Sequence, residues 1–279
     1  GKRQKKFISP DKLSKKASEI RNDVMRVACA NQAGHIAPSL SSLEILVVLY
    51  YKLLNISSDP FWKDRDRFII SKAHGSYAYY AILTDMGLVE RKHWENFYSK
   101  GYLSGCVERC LEKGIEASTG ALGHGLPIAV GIAFGAKLQK EKYRVYCLVG
   151  DGEMQEGSNW EAIQFAVKHQ LTNLTIIIDH NRLQAMDFLE NILTVKGRRH
   201  DLKKKLEGFG VLVQGCDGHN INSIIKVISH WKANQRKLKV PQVLIADTVK
   251  GRGFKCMENI AKFHFRVPSE EEIREELLP

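Results

Sequence analysis

A carboxylate and an amide oxygen each follow an apolar run of the chain. Asp151 stands between two glycines directly after residues 145–149, and Asn181 follows residues 174–178, at a distance of 30 positions from Asp151. Oxygen ligands of these two types suit a hard cation such as Mg²⁺ or Ca²⁺, which commonly keeps phosphate oxygens in its coordination shell. The residue types therefore indicate a metal–phosphate site, provided that the fold brings both side chains to one place.

The segment between the two runs predicts how they are brought together. Residues 158–170 have an amphipathic helical pattern, and the apolar runs on either side have the character of strands. A strand, a helix and a second strand of this length form a parallel, right-handed crossover, which places both strand ends at one edge of the sheet. Ligands bind there in open α/β sheets, and Gly150 and Gly152 allow a diphosphate to approach the backbone. The simpler alternative is an ordinary turn after a strand, with an unrelated Asn downstream.

Gly-Asp-Gly followed at this spacing by Asn resembles the diphosphate-binding signature of thiamine-diphosphate enzymes. Residues 150–157, together with Glu161, resemble transketolase in particular. Further transketolase-like segments follow one another in the family's order at residues 34–39, 69–75, 116–125 and 247–253. Over about residues 10–279, the chain resembles the separate N-terminal subunit of a split, bacterial-type transketolase.

The resemblance implies a cofactor and a metal site. Thiamine diphosphate is the expected cofactor, and the expected metal, Mg²⁺ or Ca²⁺, is bound by the side chains of Asp151 and Asn181 and by the backbone carbonyl of Leu183. Gly120 and Leu122 are expected at the aminopyrimidine and diphosphate parts of the cofactor, although the same glycine-rich stretch also suits a simple helix entry. The expected cofactor-binding residues are His74, Gly120, Leu122, Gly150, Asp151, Gly152, Asn181 and His264.

Histidines in loops are candidates for contacts with substrate oxygens, because imidazole donates or accepts a proton near neutral pH. Mapped onto the family's pattern, His35 and His74 line the cleft beside the thiazolium ring, and His264 lies near the diphosphate. Phe265 departs from the family, which usually has Gly after that histidine. His124 stands where the family commonly has Gln, and no role is assigned to it. Taken singly, each histidine also suits an ordinary surface or core position.

Two glutamates complete the expected catalytic set. Glu156 and Glu161 fall at positions that the family uses in a carboxylate network across a subunit interface, where burial beside other carboxylates raises pKa values and lets a proton be shared. The alternative is a pair of solvated glutamates, favoured at a helix start by the helix dipole. The expected catalytic residues are His35, His74, His264, Glu156 and Glu161.

Two departures from the family concern the donor sugar and the activation of the cofactor. Transketolases have a Gly-His-Pro-Glu/Asp segment ahead of the Glu-Ala-Ser-Thr-Gly segment, and its histidine binds the terminal hydroxyl of the donor. This chain has Cys106 at that position, at the family's spacing from Glu116, and a thiol is a weak hydrogen-bond donor. The family's activating glutamate belongs to a pyrimidine-binding domain, which we expect this chain to lack and a separate C-terminal subunit to supply.

Length and patterning favour one large domain. The 279 residues suffice for a substantial core, and strand-like stretches alternate with helical ones. This alternation predicts a single α/β domain over residues 1–279, with a doubly wound, mostly parallel sheet and helices on both faces. The predicted strands are residues 67–71, 145–149, 174–178 and 243–248, and the predicted helices are residues 10–32, 43–53, 77–86, 127–140 and 158–170, with Ser41 or Ser42 as a cap. Residues 99–119 are expected to form a long loop.

The composition disfavours several classes of protein. No apolar run approaches the length of a membrane helix, no secretory signal follows the basic residues 2–6, and neither the dinucleotide glycine spacing nor a Walker sequence occurs. Six scattered cysteines without a Cys-x-x-Cys pair indicate a reducing, cytoplasmic setting. A zinc site formed by Cys106, Cys110 and a nearby histidine is the alternative use of these thiols.

The formal net charge of +11 favours an acidic ligand. Basic residues cluster at 2–6, 198–199, 203–205 and 232–239, and a positive field suits an anionic cofactor and anionic small-molecule substrates. Nucleic-acid binding is the rival interpretation, but the chain has no helix-turn-helix, zinc finger or aromatic-interleaved basic stripe.

The sequence therefore predicts one half of a two-subunit enzyme. The expected reaction transfers a two-carbon ketol unit from a ketose-type donor to an aldehyde acceptor, with the carbanion chemistry supplied by the cofactor. The chain is expected to form a homodimer alone and a heterotetramer with the C-terminal subunit. Two alternatives stay open. One is the α-subunit of a 2-oxo acid dehydrogenase, which decarboxylates its substrate, and the other is a non-catalytic interaction protein.

Overall fold

Five strands form the centre of the protein in the computed structural model, which describes residues 8–194, 201–269 and 271–273. The strands are β1 (Arg67–Ile70), β2 (Val145–Gly150), β3 (Leu174–His180), β4 (Leu212–Asp217) and β5 (Gln242–Asp247). They build one sheet in the order β1–β2–β3–β5–β4, and every strand pair in it is parallel. The predicted α/β class with a parallel sheet is confirmed.

Helices surround this sheet. In the described part of the chain they are α1 (Pro10–Asn31), α2 (Ile36–Ser41), α3 (Leu43–Val48), α4 (Ser76–Asp85), α5 (Arg91–Glu95), α6 (Gly125–Leu138), α7 (Gly157–Lys168), α8 (Leu189–Leu193), α9 (Leu202–Gly208) and α10 (Ile221–Ala233). Short 3₁₀ turns follow two of the strands, at Ala73–Gly75 after β1 and at Gly152–Gln155 after β2. A further 3₁₀ turn, Ala261–His264, lies near the C-terminus. Within residues 8–194, 201–269 and 271–273, no helix has the length and apolar character needed to cross a bilayer.

Each face of the sheet packs against its own hydrophobic core. Alternate residues of β2 point to opposite faces, as the period of a strand requires. Tyr146 and Leu148 join the core under α1, α3, α4 and α10, whereas Cys147 and Val149 join the core under α6, α7 and α9. Burial on both faces explains why the central strands are continuous apolar runs, and it matches the predicted doubly wound arrangement.

The predicted crossover from β2 to β3 is present. Helix α7 connects the two strands, which pair in register so that Gly150 lies beside Asp179 at their carboxyl ends. Asp151 therefore begins the turn after β2 at the level where β3 ends. Because of this register, the segments that carry Asp151 and Asn181 lie at one edge of the sheet, as the sequence predicts.

The N-terminal helical region differs from the prediction in detail. A helix was expected over residues 43–53 after a loop, but α2 already begins at Ile36, and the last turn, Leu49–Leu53, is a π-turn. Ser42 stands at the N-cap position of α3, yet its side chain makes no capping hydrogen bond. Instead, its hydroxyl lies 3.5 Å from the Pro38 carbonyl, to which it donates. The predicted helix cap at Ser42 is therefore wrong, since the side chain does not bind a backbone N–H of α3. Helix α2 leads directly into α3 and supplies the preceding turn.

Candidate active site

Asp151 is a buried carboxylate at the carboxyl end of β2. Its side chain accepts hydrogen bonds from the backbone N–H of Gly152 (2.7 Å) and of Arg182 (2.6 Å). Only 4% of the residue is exposed, and burial together with the nearby Asp179 charge raises the pKa of Asp151 to about 6. A cation at this carboxylate would therefore stabilise a buried negative charge that the protein alone leaves poorly compensated.

Asn181 and Leu183 flank the residue whose N–H binds this carboxylate. The N–H of Arg182, the residue between them, is the group that Asp151 binds. The side-chain oxygen of Asn181 accepts the Leu183 N–H at 3.0 Å, and its amide nitrogen donates to Asp179 at 3.2 Å. The structure thus ties the carboxylate to a short segment that carries an amide oxygen and a backbone carbonyl. This donor set fits Mg²⁺ or Ca²⁺, which prefer oxygen ligands.

Lys250, which sequence reasoning missed, places a buried ammonium group in the same crevice. Its Nζ donates to the Leu183 carbonyl at 2.8 Å and lies 2.6 Å from Nδ1 of His264. Only 2% of the residue is exposed, and burial, with the repulsion of the Lys72 ammonium, lowers the pKa of Lys250 to about 8. In the described part of the chain, no carboxylate oxygen lies within 4.0 Å of this ammonium. Lys250 is therefore a buried cation that suits an anionic ligand.

Lys72 and Asp179 form a buried pair beneath the crevice. The Lys72 ammonium contacts the Asp179 carboxylate and also donates to the Pro38 carbonyl at 2.8 Å. Ser41 and Thr248 donate hydroxyl hydrogen bonds to the same carboxylate. Although burial opposes its ionisation, the Lys72 charge and these hydrogen bonds hold the pKa of Asp179 below its usual range. The pair fixes the ends of three elements, α2, β3 and β5, around the crevice.

Three histidines meet beside Lys250. The rings of His35 and His74 stack with their centroids 4.2 Å apart, and the ring of His264 stands edge-on to both, at 5.3 and 5.2 Å. Burial, with the positive charge of Lys250 and its neighbours, lowers the pKa of His35 and His74 to about 4 and that of His264 to about 3. All three imidazoles are therefore neutral at pH 7, and each has one nitrogen that donates and one that accepts.

The glycine-rich turn before α6 closes the opposite side of the crevice. The Gly123 N–H donates to Glu153 at 3.0 Å, which ties this turn to the one after β2. Gly125 is required by packing, because a Cβ there would lie 2.5 Å from the Cα of Ser71. Gly120 and Leu122, both expected at the cofactor, lie in this turn. His124 is exposed, and its Nδ1 lies 3.2 Å from the Leu122 carbonyl.

Glu153 is another buried carboxylate, which the sequence did not single out. It accepts hydrogen bonds from the Ser71 hydroxyl and from the N–H groups of Gly123 and Gly150, the last at 3.0 Å. Burial raises the pKa of Glu153 despite these hydrogen bonds. Its contacts join the ends of β1 and β2 to the turn before α6, which gives it a positioning role.

The two glutamates expected in a carboxylate network across a subunit interface lie on the surface of this chain. Glu156 and Glu161 are exposed, at the N-cap and in the first turns of α7. Within the described chain, the buried carboxylates with a raised pKa are Asp151 and Glu153. Burial of Glu156 and Glu161 requires a second polypeptide on this surface, and their relay role stays a prediction.

Gly150 leaves space at the crevice, whereas Gly152 is closely packed. A Cβ on Gly150 would meet no protein atom closer than 3.7 Å, so the packing of the chain itself does not demand glycine there. A Cβ on Gly152 would lie 3.3 Å from the Cβ of Gln184, whose Nε2 is buried without a hydrogen-bond partner. Open backbone beside an unpartnered amide fits a polar ligand in this position.

Cys106 lies against Gly120. A Cβ on Gly120 would be 2.7 Å from the Cys106 sulfur, so the thiol borders the turn that is expected at the cofactor. The alternative zinc site lacks support, because the described residues hold no cluster of three metal-ligating side chains that includes Cys106 or Cys110. The cluster that the structure does contain in those residues is that of the three histidines.

Comparisons with known proteins identify the family of this chain. The family model for the transketolase thiamine diphosphate binding domain matches residues 13–276. The chain is 39% identical to an apulose-4-phosphate transketolase subunit of Actinobacillus succinogenes over 95% of both chains. It is 32% identical to the 6-deoxy-6-sulfo-D-fructose transketolase subunit SqwG of a Clostridium species over 90% of both.

Solved transketolases share the fold. The structure of transketolase from Campylobacter jejuni superposes with a TM-score of 0.83 at 28% identity, over 94% of this chain and 41% of that one. This chain thus spans nearly the whole of the two bacterial relatives but less than half of that transketolase. The chain therefore belongs to the transketolase family, whose thiamine diphosphate binding domain it contains.

Proposed function

We propose that this chain is the diphosphate-binding subunit of a transketolase-like enzyme, which transfers a two-carbon ketol unit from a ketose donor to an aldehyde acceptor. The observation that supports this proposal most strongly is the crevice at the ends of β2 and β3. It combines an oxygen donor set for a divalent cation with the buried Lys250 ammonium, which has no carboxylate within 4.0 Å among the described residues. A metal-bound diphosphate supplies both a positive charge for the oxygen donors and a negative charge for the Lys250 ammonium.

The metal would be held by the side chains of Asp151 and Asn181 and by the carbonyl of Leu183. The diphosphate would lie against Gly150, where the backbone is open, beside Gly152 and near the Lys250 ammonium. The first N–H groups of α6 also favour an anion at this side of the crevice. Thiamine diphosphate supplies, when bound, the carbanion that takes up the ketol unit.

The three histidines would act on the substrate oxygens. As neutral imidazoles, His35 and His74 can each donate a hydrogen bond to a substrate oxygen and accept a proton from a hydroxyl group. His264, whose Nδ1 accepts a hydrogen bond from Lys250, would be oriented with its other nitrogen toward the ligand. The half-buried position of the cluster limits access of water to these groups.

An exposed apolar face next to this site supports a partner subunit. On α6 and α7, Ile128, Phe165 and Leu138 are 38%, 41% and 66% exposed. Gly131 lies between them, and a Cβ added to it would have no atom within 4 Å. Apolar patches on a protein surface mark interaction sites more often than isolated apolar residues do. A C-terminal, transketolase-like subunit on this face would bury the glutamates at the start of α7 and contribute the activating glutamate.

The charges on this face are also compatible with pairing of two copies. Exposed Glu156 and Glu161 lie toward the N-terminal end of α7, whereas Lys137 and Lys168 lie where α6 and α7 end. A two-fold axis that sets the helices antiparallel would place acidic ends against basic ends, as an isologous interface requires. We therefore propose that the isolated chain forms a homodimer through this face, and that the partner subunit replaces this pairing when the heterotetramer forms.

An anionic ketose is the proposed donor class. Two relatives of this chain are named for a phosphorylated and a sulfonated ketose, respectively, and the net charge of +11 suits donors of either kind. The 2-oxo acid dehydrogenase alternative is not favoured by the family match. The cytoplasmic setting is a separate prediction, which rests on the cysteine pattern.

Substrate screening of the complete enzyme tests this function. Ketose phosphates, sulfonated ketoses and pyruvate would be offered to the complex of this chain with its C-terminal subunit, each with an aldehyde acceptor. The proposal requires a product two carbons longer than the acceptor, formed without carbon dioxide. Release of carbon dioxide from pyruvate, with no transfer from any ketose, would instead establish the 2-oxo acid alternative.

The replacement of Cys106 by histidine is expected to improve the use of ordinary ketose phosphates. A histidine at the border of Gly120 can donate a hydrogen bond to the terminal hydroxyl of a donor, which a thiol does poorly. One such bond contributes about 0.5–1.5 kcal/mol, so we expect kcat/KM for the donor to rise about twofold to tenfold. Cys110→His, in the same loop, is the matched control and should show no gain. If Cys106→His improves no ketose phosphate, the donor is recognised by other residues.

A further inference from the structure

An aromatic ring stands at the rim of the three-histidine cluster. Phe265 directly follows His264 and is 60% exposed. Its ring lies edge-on to His35, with 4.8 Å between the ring centroids and an angle of 70° between the planes. A large apolar side chain with this exposure contributes little to the core. Its place beside a site histidine therefore calls for an explanation outside folding.

The neighbours of Phe265 hold it in this position. Phe263 is 1% exposed and anchors the segment in the core. Arg266 makes two hydrogen bonds to Glu272, at 2.9 and 2.8 Å, and its guanidinium lies 4.9 Å from the centroid of the Phe263 ring. With an anchor on each side, the backbone at Phe265 is fixed, and the ring is presented toward the cleft.

A solvent-open cavity of about 490 Å³ also borders the ring. The residues that line it are Gln32, Ala33, Phe265, Arg266, Val267 and Ser269. Phe265 therefore borders both this cavity and His35. The lining offers an amide, a hydroxyl and a guanidinium, which are groups that bind sugar hydroxyls and phosphates. The ring itself offers no hydrogen bond.

We propose that Phe265 is a specificity-determining residue, whose ring separates the three-histidine cluster from this cavity and restricts the aldehyde acceptor to short chains. The inference rests on the proposed function. A short aldehyde reaches His35 without touching the cavity. A longer polyol chain must lay its hydroxyls against the ring, where they lose water and gain no partner, which disfavours binding.

Removing the ring should open the cavity to longer acceptors. In Phe265→Ala, the hydroxyls and the phosphate of a pentose phosphate gain a path to Gln32, Arg266 and Ser269. Phe265→Leu keeps apolar bulk and should show a smaller change. Because the ring is mostly exposed, neither change should unfold the protein. Phe61→Ala is the matched control, since Phe61 is 62% exposed and lies elsewhere in the chain.

The test compares acceptors in the complete two-subunit enzyme with one donor. Glycolaldehyde, glyceraldehyde 3-phosphate and ribose 5-phosphate are the probes, and kcat and KM are measured separately for each. The ratio compared is kcat/KM for ribose 5-phosphate divided by kcat/KM for glycolaldehyde. Phe265→Ala should raise this ratio by about tenfold or more. A change of about tenfold is the low end of the effect that one misfitted methylene group has on specificity. The change should lie mainly in the acceptor KM, and Phe61→Ala should leave the ratio unchanged.

Two results would overturn this inference. One is an unchanged ratio of the two kcat/KM values in Phe265→Ala, measured in a complex that transfers ketol units normally. This result would leave the proposed function intact. The other is an equal change in Phe61→Ala, which would assign the effect to general loss of an exposed ring. Absence of transfer to every acceptor by the unaltered complex would overturn the proposed function, and this inference with it.

Discussion

Replacing Asp151 with alanine is expected to abolish metal-dependent binding of thiamine diphosphate and to leave the fold intact. The proposed site has one carboxylate among its three protein ligands, so its loss removes the negative charge that balances the cation. Mutation of residues that merely orient metal ligands lowers metal affinity by about 10–100-fold. Loss of a direct ligand should therefore lower that affinity by at least about 100-fold. The protein should still fold, because Asp151→Ala removes a buried carboxylate that is repelled by the charge of Asp179.

Calorimetric titration with thiamine diphosphate, in Mg²⁺ and in EDTA, measures this effect. The unaltered protein should bind tightly with Mg²⁺ and weakly in EDTA, whereas Asp151→Ala should bind weakly in both. Asp217→Ala is the matched control, since Asp217 ends the edge strand β4 in the same sheet and is exposed. An Asp151→Ala protein that is folded by circular dichroism and keeps Mg²⁺-dependent affinity would remove Asp151 from the site.

The isolated chain is expected to show no ketol transfer. The proposed crevice binds the diphosphate end of the cofactor, and the glutamate that activates the other end is proposed to come from the partner subunit. Adding that subunit should raise activity by at least about 1,000-fold, a difference of roughly 4 kcal/mol in the barrier, and activity should saturate near one partner per chain. The interface should be in the range of about 2,000–5,000 Å², as in obligate assemblies.

Variants in the exposed apolar face on α6 and α7 test whether the partner subunit binds there. Ile128→Lys places a charge in this exposed apolar face and should weaken association with the partner. Phe61→Lys changes an equally apolar exposed residue elsewhere and should not. Titrated activity and sedimentation measure both variants. Robust turnover by the purified 279-residue chain, with no second polypeptide detectable by mass spectrometry, would refute the split-enzyme account.

The meeting of the strand ends at the proposed metal site was predictable from sequence because its determinants are local. Asp151 and Asn181 each stand directly after an apolar run, and the helical pattern between them fixes the crossover that brings the strand ends together. The position of each side chain follows from the register of two adjacent parallel strands. No knowledge of distant contacts was needed for this part of the site.

The buried ammonium groups were not predictable in the same way. Lys72 and Lys250 look like ordinary surface residues in the sequence, since lysine is rarely buried without a partner. Their roles depend on long-range contacts, with Asp179 for Lys72 and with the Leu183 carbonyl for Lys250. Glu153 escaped notice for a similar reason, because its partners Ser71 and Gly123 lie far away in the sequence.

Among the elements that escaped the sequence patterns, β4 and α10 did so for different physical reasons. Strand β4 lies at the edge of the sheet and is largely exposed, so it lacks the apolar run that marks the central strands. Helix α10 has a clear apolar face, with Ile224, Val227 and Ile228 buried, and its helical spacing was a signal that could have identified it.

The most direct test of the account is the position of the metal in a crystal of the two-subunit complex with thiamine diphosphate and Ca²⁺. An anomalous difference map locates the ion by its own scattering. The account predicts one peak at about 2.3–2.6 Å from a carboxylate oxygen of Asp151, the amide oxygen of Asn181 and the carbonyl of Leu183, with the diphosphate on the same ion. A peak elsewhere, or a diphosphate bound away from these three residues, would contradict it.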